Sequence, residues 1–321
     1  MSTCRQSGCC LLAALAVCAG LAGCRGSLAK VNDQASILPA SFQQVPLDLE
    51  RIRATKLPAL DLSRINPLSE EPSNDRDWVP EQQVLASAEF DGDRVTVHNV
   101  RNAQWVSYRD CLVDYYDQTY DLNRLVGVDF VQIPFNENRA IAHTLLSFAF
   151  DDGQHLGISI EVRLEKGESY SPAIGLFNQY ELMYVVADER DLLPVRTEQR
   201  ACDVYLYRTR ATPTDARKLL VAMLERANAL RDKPEFYHTL TNNCTTNIVR
   251  HVNQLVPGGI HYDYRVLLPG YADELAYELG LLDTTVPFAE LKRRALINEL
   301  ADRYHDSPDF SARIRGERPR R

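Results

Sequence analysis

The sequence predicts an α+β domain. Three observations predict it. Runs of β-branched and aromatic residues with period two crowd the middle of the chain. Runs with helical period dominate the part after residue 210. The two kinds are segregated and do not alternate, which points to an antiparallel sheet packed with helices.

The elements follow in order. DRVTVHNV (93–100) alternates and reads as a strand, while RDCLVDYYDQTYDLNRLV (109–126) is mixed and is expected as helix. IAHTLLSFAF (141–150) and HLGISIEVRL (155–164) are strands flanking Asp151-Asp152-Gly153. LMYVVA (182–187) and CDVYLYRT (202–209) are two more, separated by the charged loop DERDLLPVRTEQR. A helix then starts at Thr214 as N-cap, carries Leu219, Leu220, Met223, Leu224, Ala227 and Leu230 at helical spacing, and ends near Lys233-Pro234. After Cys244, residues Ile248, Val249, Val252, Leu255 and Val256 share one helical face, and Pro257-Gly258-Gly259 stops the run. Residues 269–304 read as helical pieces packed on the body.

The start, MSTCRQSGCCLLAALAVCAGLAGCRG, has Arg5 before an apolar run from Cys9 to Leu21 and then small residues. That is a signal-peptide pattern, too short for a membrane span. Leu21-Ala22-Gly23-Cys24 resembles a bacterial lipobox, so residues 1–23 are expected to be cleaved and Cys24 to carry lipid. Residues 24–77 hold five prolines without a sustained period and read as a tether. The folded part is expected over 78–283, with a helical extension and basic tail over 284–321. The tail RIRGERPRR is expected to be disordered. Arg25 is compatible with outer-membrane sorting, so the expected place is the periplasmic face of the envelope, lipid-anchored. The net charge of −8 makes nucleic acid an unsuitable partner.

Eight cysteines are present, but five of them fall in the first 24 residues. Cys111, Cys202 and Cys244 remain. No CxxC pair occurs, so a cysteine zinc site has no support and no metal is expected. One arrangement pairs Cys111 with Cys202 and leaves Cys244 reduced. No Walker A loop, G-x-G-x-x-G loop or G-x-S-x-G elbow is present, and no cofactor is implied.

Cys244 stands in TLTNNCTTN, at the start of its helix, with Asn242 or Asn243 as N-cap. Unpaired N–H groups and the helix dipole stabilise a thiolate there, and the same N–H groups can hold an oxyanion. Two readings stand: a nucleophile, or a structural cysteine that is a small buried hydrophobe or half of a disulfide. A nucleophile needs a base. His251 lies two helical turns along, roughly 10 Å up the axis. His143 is favoured by its strand. A three-residue loop at 151–153, with Gly153 left-handed, puts His143 opposite Glu161. A carboxylate there can orient an imidazole. Ser159 and Arg163, on the same face, are alternatives for that role, and a polar pair on a solvated face is the structural alternative.

IAHTLLSFAFDDGQHLGISIEVR, LFNQYELMYVVADERDLLPVRT and FYHTLTNNCTTNI resemble the Lnb N-terminal periplasmic domain family. The resemblance runs from about Val97 through YRVLLPGYADELAYELGLL. The order, histidine strand first and Asn-Cys helix later, also resembles circularly permuted papain-like enzymes, including the lecithin retinol acyltransferase group. The resemblance implies a permuted papain-like fold and lipoprotein N-acylation. An acyl chain would pass from phospholipid to Cys244 as a thioester, then to the amine of a lipoprotein or another acceptor. It implies Cys244 as nucleophile, His143 as general base and acid, and Glu161 as the orienting group, with Asn242, Asn243 and Ser159 in support. The chain departs from the family in having a lipobox and tether where members carry membrane spans. The alternatives are a papain-like amidase or peptidase acting on cell-wall peptide, and a non-catalytic lipoprotein binding module.

Overall fold

A computed structural model describes residues 71–316 apart from 108–109, 136–137, 257–258 and 262. The expected signal peptide, Cys24 and the tether up to residue 70 lie outside the described residues. The strands are β1 (Ser87–Asp91), β2 (Arg94–Arg101), β3 (Gln104–Trp105), β4 (Cys111–Leu112), β5 (Tyr115–Asp121), β6 (Leu125–Phe135), β7 (Asn138–Phe150), β8 (His155–Arg163), β9 (Glu181–Ala187) and β10 (Tyr205–Arg208). The helices are α1 (Glu189–Leu192), α2 (Pro213–Asp232), α3 (Cys244–Leu255), α4 (Tyr264–Leu267), α5 (Ala272–Glu278), α6 (Phe288–Ala295), α7 (Asn298–Tyr304) and α8 (Phe310–Arg313).

One sheet runs β1-β2-β9-β8-β7-β6-β10, with β5 also paired to β2. Its pairings are antiparallel except for Arg101 of β2 beside Ala187 of β9, so the sheet is mixed and the class is α+β. The β7–β8 register is the expected one: Leu145 faces Ser159 and Leu146 faces Ile158. Gly153 turns the hairpin at φ +91°, a conformation that glycine adopts without a Cβ penalty.

Three expectations are corrected. Residues 110–126 form no α-helix but β4, β5, a 3-10 turn and the start of β6. Tyrosine and threonine favour a half-buried pleated surface, and Thr96 and Thr119 pair across β2 and β5 at 2.8 Å. The charged loop after β9 contains α1 and a five-residue π turn, Val195–Gln199, because Leu192, Leu193 and Val195 bury themselves beneath the sheet. The helix expected from Thr214 starts two residues earlier. Thr212 caps it reciprocally with Asp215, and Pro213 takes the first helical position, where its missing N–H costs nothing.

Helices cover both faces of the sheet. On the first face, Leu146, Phe148, Leu156, Ile158 and Ile160 pack with Leu219, Leu220, Met223 and Leu224 of α2 and with Cys244 and Ile248 of α3. On the second, Val131, Ile133, Leu145, Met183 and Val185 pack with Leu192, Ile297, Ala301, Phe310 and Ile314. Each such aliphatic or aromatic side chain stabilises the fold by roughly 1.5–3 kcal/mol through burial. The C-terminal helices are therefore part of the body and not an appendage.

Both ends of the body reach beyond the expected boundaries. Asn74 donates to the Leu230 carbonyl at 3.1 Å, and Arg76 donates to Glu181 at 2.8 Å, so the folded part begins before Trp78. Arg315, in the tail expected to be disordered, is buried. It donates to Asp129 at 2.7 Å and to the Glu189 carboxylate at 2.6 and 2.9 Å. Among the described residues, no helix is long and apolar enough to cross a membrane.

Candidate active site

Cys244 is the first residue of α3. Asn243 is its N-cap and forms a reciprocal capping box with Thr246. The Asn243 side chain accepts from Thr246 N at 2.8 Å, and its Nδ2 donates back to the Thr239 carbonyl at 2.6 Å. Asn242 holds the preceding turn by donating to the Phe236 carbonyl. Asn247 donates to Asn242 Oδ1 and to the Asn243 carbonyl. The two asparagines thus fix the chain's entry into the helix.

The cap satisfies the third helical N–H and leaves the first two. Neither Cys244 N–H nor Thr245 N–H meets an acceptor among the described residues. Both residues are buried, Cys244 at 7% and Thr245 at 4% exposure. A carbonyl oxygen gaining charge beside the thiol would find two aligned donors and the positive end of the helix. The Cys244 Sγ lies 3.8 Å from Thr245 Oγ1, and Thr245 Oγ1 lies 3.1 Å from Thr144 Oγ1 on β7.

The second cluster is built on His143. Its Nε2 lies 2.7 Å from Ser159 Oγ, and Ser159 Oγ donates to Glu161 Oε1 at 2.7 Å. A carboxylate only accepts, so the one hydroxyl proton of Ser159 goes to Glu161. His143 Nε2 then carries the donor proton, which leaves Nδ1 as the basic nitrogen. Glu161 Oε1 is 3.8 Å from His143 Nε2. Arg196, on the π turn, donates to the same Glu161 oxygen at 2.7 Å. Burial and the Arg196 charge push the His143 imidazole down to about 3, so it is neutral at physiological pH. Burial raises the Glu161 carboxyl, but the Arg196 charge outweighs it and, with the Ser159 hydroxyl, holds the group ionised. Arg163, the other alternative, points away from this cluster and donates to the carbonyls of Gln82 and Gln83.

The two clusters do not meet. Thr144 and Leu146 face the side that carries α3, whereas His143, Leu145 and Ser147 face the other side. The expected joint set of Cys244, His143 and Glu161 is corrected: His143, Ser159 and Glu161 come together, and Cys244 stands across the sheet. The cause is the amphipathicity of α3. Its stripe of Ile248, Val252 and Leu255 packs against the face of Leu146 and Phe148, and strand alternation sends His143 to the opposite side. On Cys244's own face the imidazole is His251, whose Nε2 lies 2.9 Å from Tyr184 Oη, with Asn247 Oδ1 at 3.3 Å from the same hydroxyl. His251 Nδ1 is buried without a partner. His238 is turned into its own loop, near Leu240 N and Thr241 Oγ1.

Arg196 escaped sequence reasoning because its segment reads as a charged loop. Among the described residues no disulfide joins Cys111 to Cys202, and Cys244 is a free thiol. Among the described residues, no group of three histidines, cysteines or carboxylates stands close enough to hold a metal.

Residues 112–270 match the family model of the Lnb N-terminal periplasmic domain. No curated protein and no solved structure matches the chain. The match contains both clusters and stops before α5–α8, of which α5 and α6 pack on the first sheet face and α7 and α8 on the second. Through residues 112–270 the chain belongs to the Lnb N-terminal periplasmic domain family and is a periplasmic envelope protein of that type.

Proposed function

We propose that the protein is an acyltransferase of the bacterial envelope that works through a thioester on Cys244. The observation that carries this reading is the free thiol at the first position of a capped helix, beside two backbone N–H groups with no acceptor. The Cys244 thiol loses its proton to water, and Sγ attacks the carbonyl carbon of a phospholipid ester. A C–S bond forms, and the N–H groups of Cys244 and Thr245 take the charge on the carbonyl oxygen. The ester C–O bond breaks, and the leaving alkoxide takes a proton from water. An amine, in our reading the α-amine of a diacylated lipoprotein, then attacks the thioester. The C–N bond forms, the C–S bond breaks, and the proton lost by the amine goes to water or returns to Cys244. A lipid on Cys24 would hold the domain at the membrane surface, with outer-membrane placement the reading that Arg25 favours.

His143, Ser159 and Glu161 are not assigned to these steps, because they lie across the sheet from the thiol. With Arg196 they hold the second face together. That same separation favours one other reading, a non-catalytic lipoprotein binding module. The two readings part in one assay. Full-length protein is mixed with phospholipid and a synthetic diacylated lipopeptide, and the lipopeptide mass is followed. A gain of one acyl chain that disappears in Cys244→Ala supports the transferase. An unchanged lipopeptide that nevertheless co-purifies with the protein supports the binding module.

A further inference from the structure

An open cleft of about 410 Å³ lies between β10 and α6, away from Cys244, and is lined by Leu206, Tyr207, Arg208, Thr209, Arg210, Asp283, Leu291, Arg294 and Ala295. Three guanidinium groups and one carboxylate share this lining. The Arg210 side chain is exposed and has no hydrogen-bond partner among the described residues. Arg294 is 60% exposed and gives its Nε to Glu290, but Glu290 is also gripped by Arg293, so one carboxylate serves two guanidiniums. Arg208 is 53% exposed and shares Asp129 with the buried Arg315. Asp283 stands against an incoming anion: its Oδ1 accepts from Thr285 N and Oγ1, and its charge interacts with Arg210 and Arg294.

The walls are of a different kind. Leu206, Leu291 and Ala295 give an aliphatic side to the cleft. A chain whose net charge is −8 thus places guanidinium donors and aliphatic surface side by side. Guanidinium forks fit the oxygens of a phosphate ester, and a free inorganic anion has no use for the aliphatic side.

We propose that this cleft binds the phosphate headgroup of a phospholipid, with Arg210 and Arg294 on the phosphate oxygens and Leu206 and Leu291 against the glycerol and first acyl carbons. The site lies apart from Cys244 and does not depend on what the thiol does. It would orient the domain on a bilayer by a second attachment beyond any lipid anchor.

The test uses full-length protein in detergent, titrated calorimetrically with dihexanoyl phosphatidylglycerol and, separately, with inorganic phosphate. The short-chain lipid should bind more tightly than phosphate. Arg210→Ala with Arg294→Ala should weaken lipid binding by about tenfold or more, as expected for loss of charge-assisted hydrogen bonds. The same titrations run on Cys244→Ala protein exclude heat from acyl transfer. Leu291→Ser should weaken the lipid and leave phosphate unchanged. No lipid binding by the parent, or undiminished binding by the folded double-arginine variant, overturns the proposal. Equal affinity for phosphate and lipid overturns the assignment to a phospholipid and leaves a simple anion site.

Discussion

Thr144 on β7 and Thr245 on α3 meet hydroxyl to hydroxyl at 3.1 Å, and this contact fixes the side of the sheet on which the thiol sits. Thr144 is the neighbour of His143 in the strand, so His143 must project the other way. The thiol chemistry then rests on the helix terminus and not on that imidazole.

Thiol reactivity should follow this geometry. Alkylation of Cys244 in the folded protein should stay within about twofold on His143→Ala, because sites without shared partners behave independently. Peptide mapping separates Cys244 from Cys111 and Cys202. A tenfold fall in rate would contradict the two-face arrangement. Asn243→Ala is the contrasting variant. It removes the cap and should cost about 1 kcal/mol of stability in urea unfolding.

Acid should destabilise the fold through its buried histidines. The His143 imidazole is held at about 3 by burial and Arg196, and His251 at about 4 by burial with Arg226 and Arg250. An unfolded histidine titrates near 6.5. The folded values are depressed, so this stability is fully present above pH 6.5 and is lost as pH falls toward the folded values. Between those limits each such histidine steepens the fall by up to about 1.4 kcal/mol per pH unit. Urea midpoints measured between pH 7 and pH 4.5 should drop, and His143→Gln should show the smaller drop.

Arg315 should be among the costliest positions outside the core. Its guanidinium joins Asp129 and Glu189, both fully buried. Arg315→Met leaves Glu189 buried without its cation and Asp129 with Arg208 alone, and should cost about 3–5 kcal/mol. Burial raises the Glu189 carboxyl, but Arg315 and His155 pull it further down, to about 2. A depressed carboxyl gives stability that is present above its ordinary value near 4.5 and lost as pH falls toward 2. Arg315→Met should therefore lose most of its stability at neutral pH and less at pH 3, as chemical denaturation at the two pH values would show.

Much of the fold is legible in the sequence. The alternation of 141–150 and 155–164, with a three-residue loop ending in Gly153, fixes the hairpin register that is observed. The cap at Asn243 follows from residue type and position. β6 gives no alternation to read because nearly every residue in it is buried. The separation of His143 from Cys244 was hidden for a different reason. Periodicity tells which residues share a face of one strand, but not which face an amphipathic helix more than ninety residues later will cover. The match between the α3 stripe and the Leu146–Phe148 face carries that information, and the polar residues of the site do not. Arg315 was hidden because a short arginine-rich end looks solvated until two buried carboxylates are found to need it.

The most direct test of the central claim is intact-mass spectrometry of full-length protein incubated with phospholipid vesicles, beside Cys244→Ala. The account predicts a hydroxylamine-sensitive gain of one acyl chain that maps to the Cys244 peptide and is absent from the variant. No adduct on a Cys244 thiol that alkylates freely, with phospholipid bound, would contradict it.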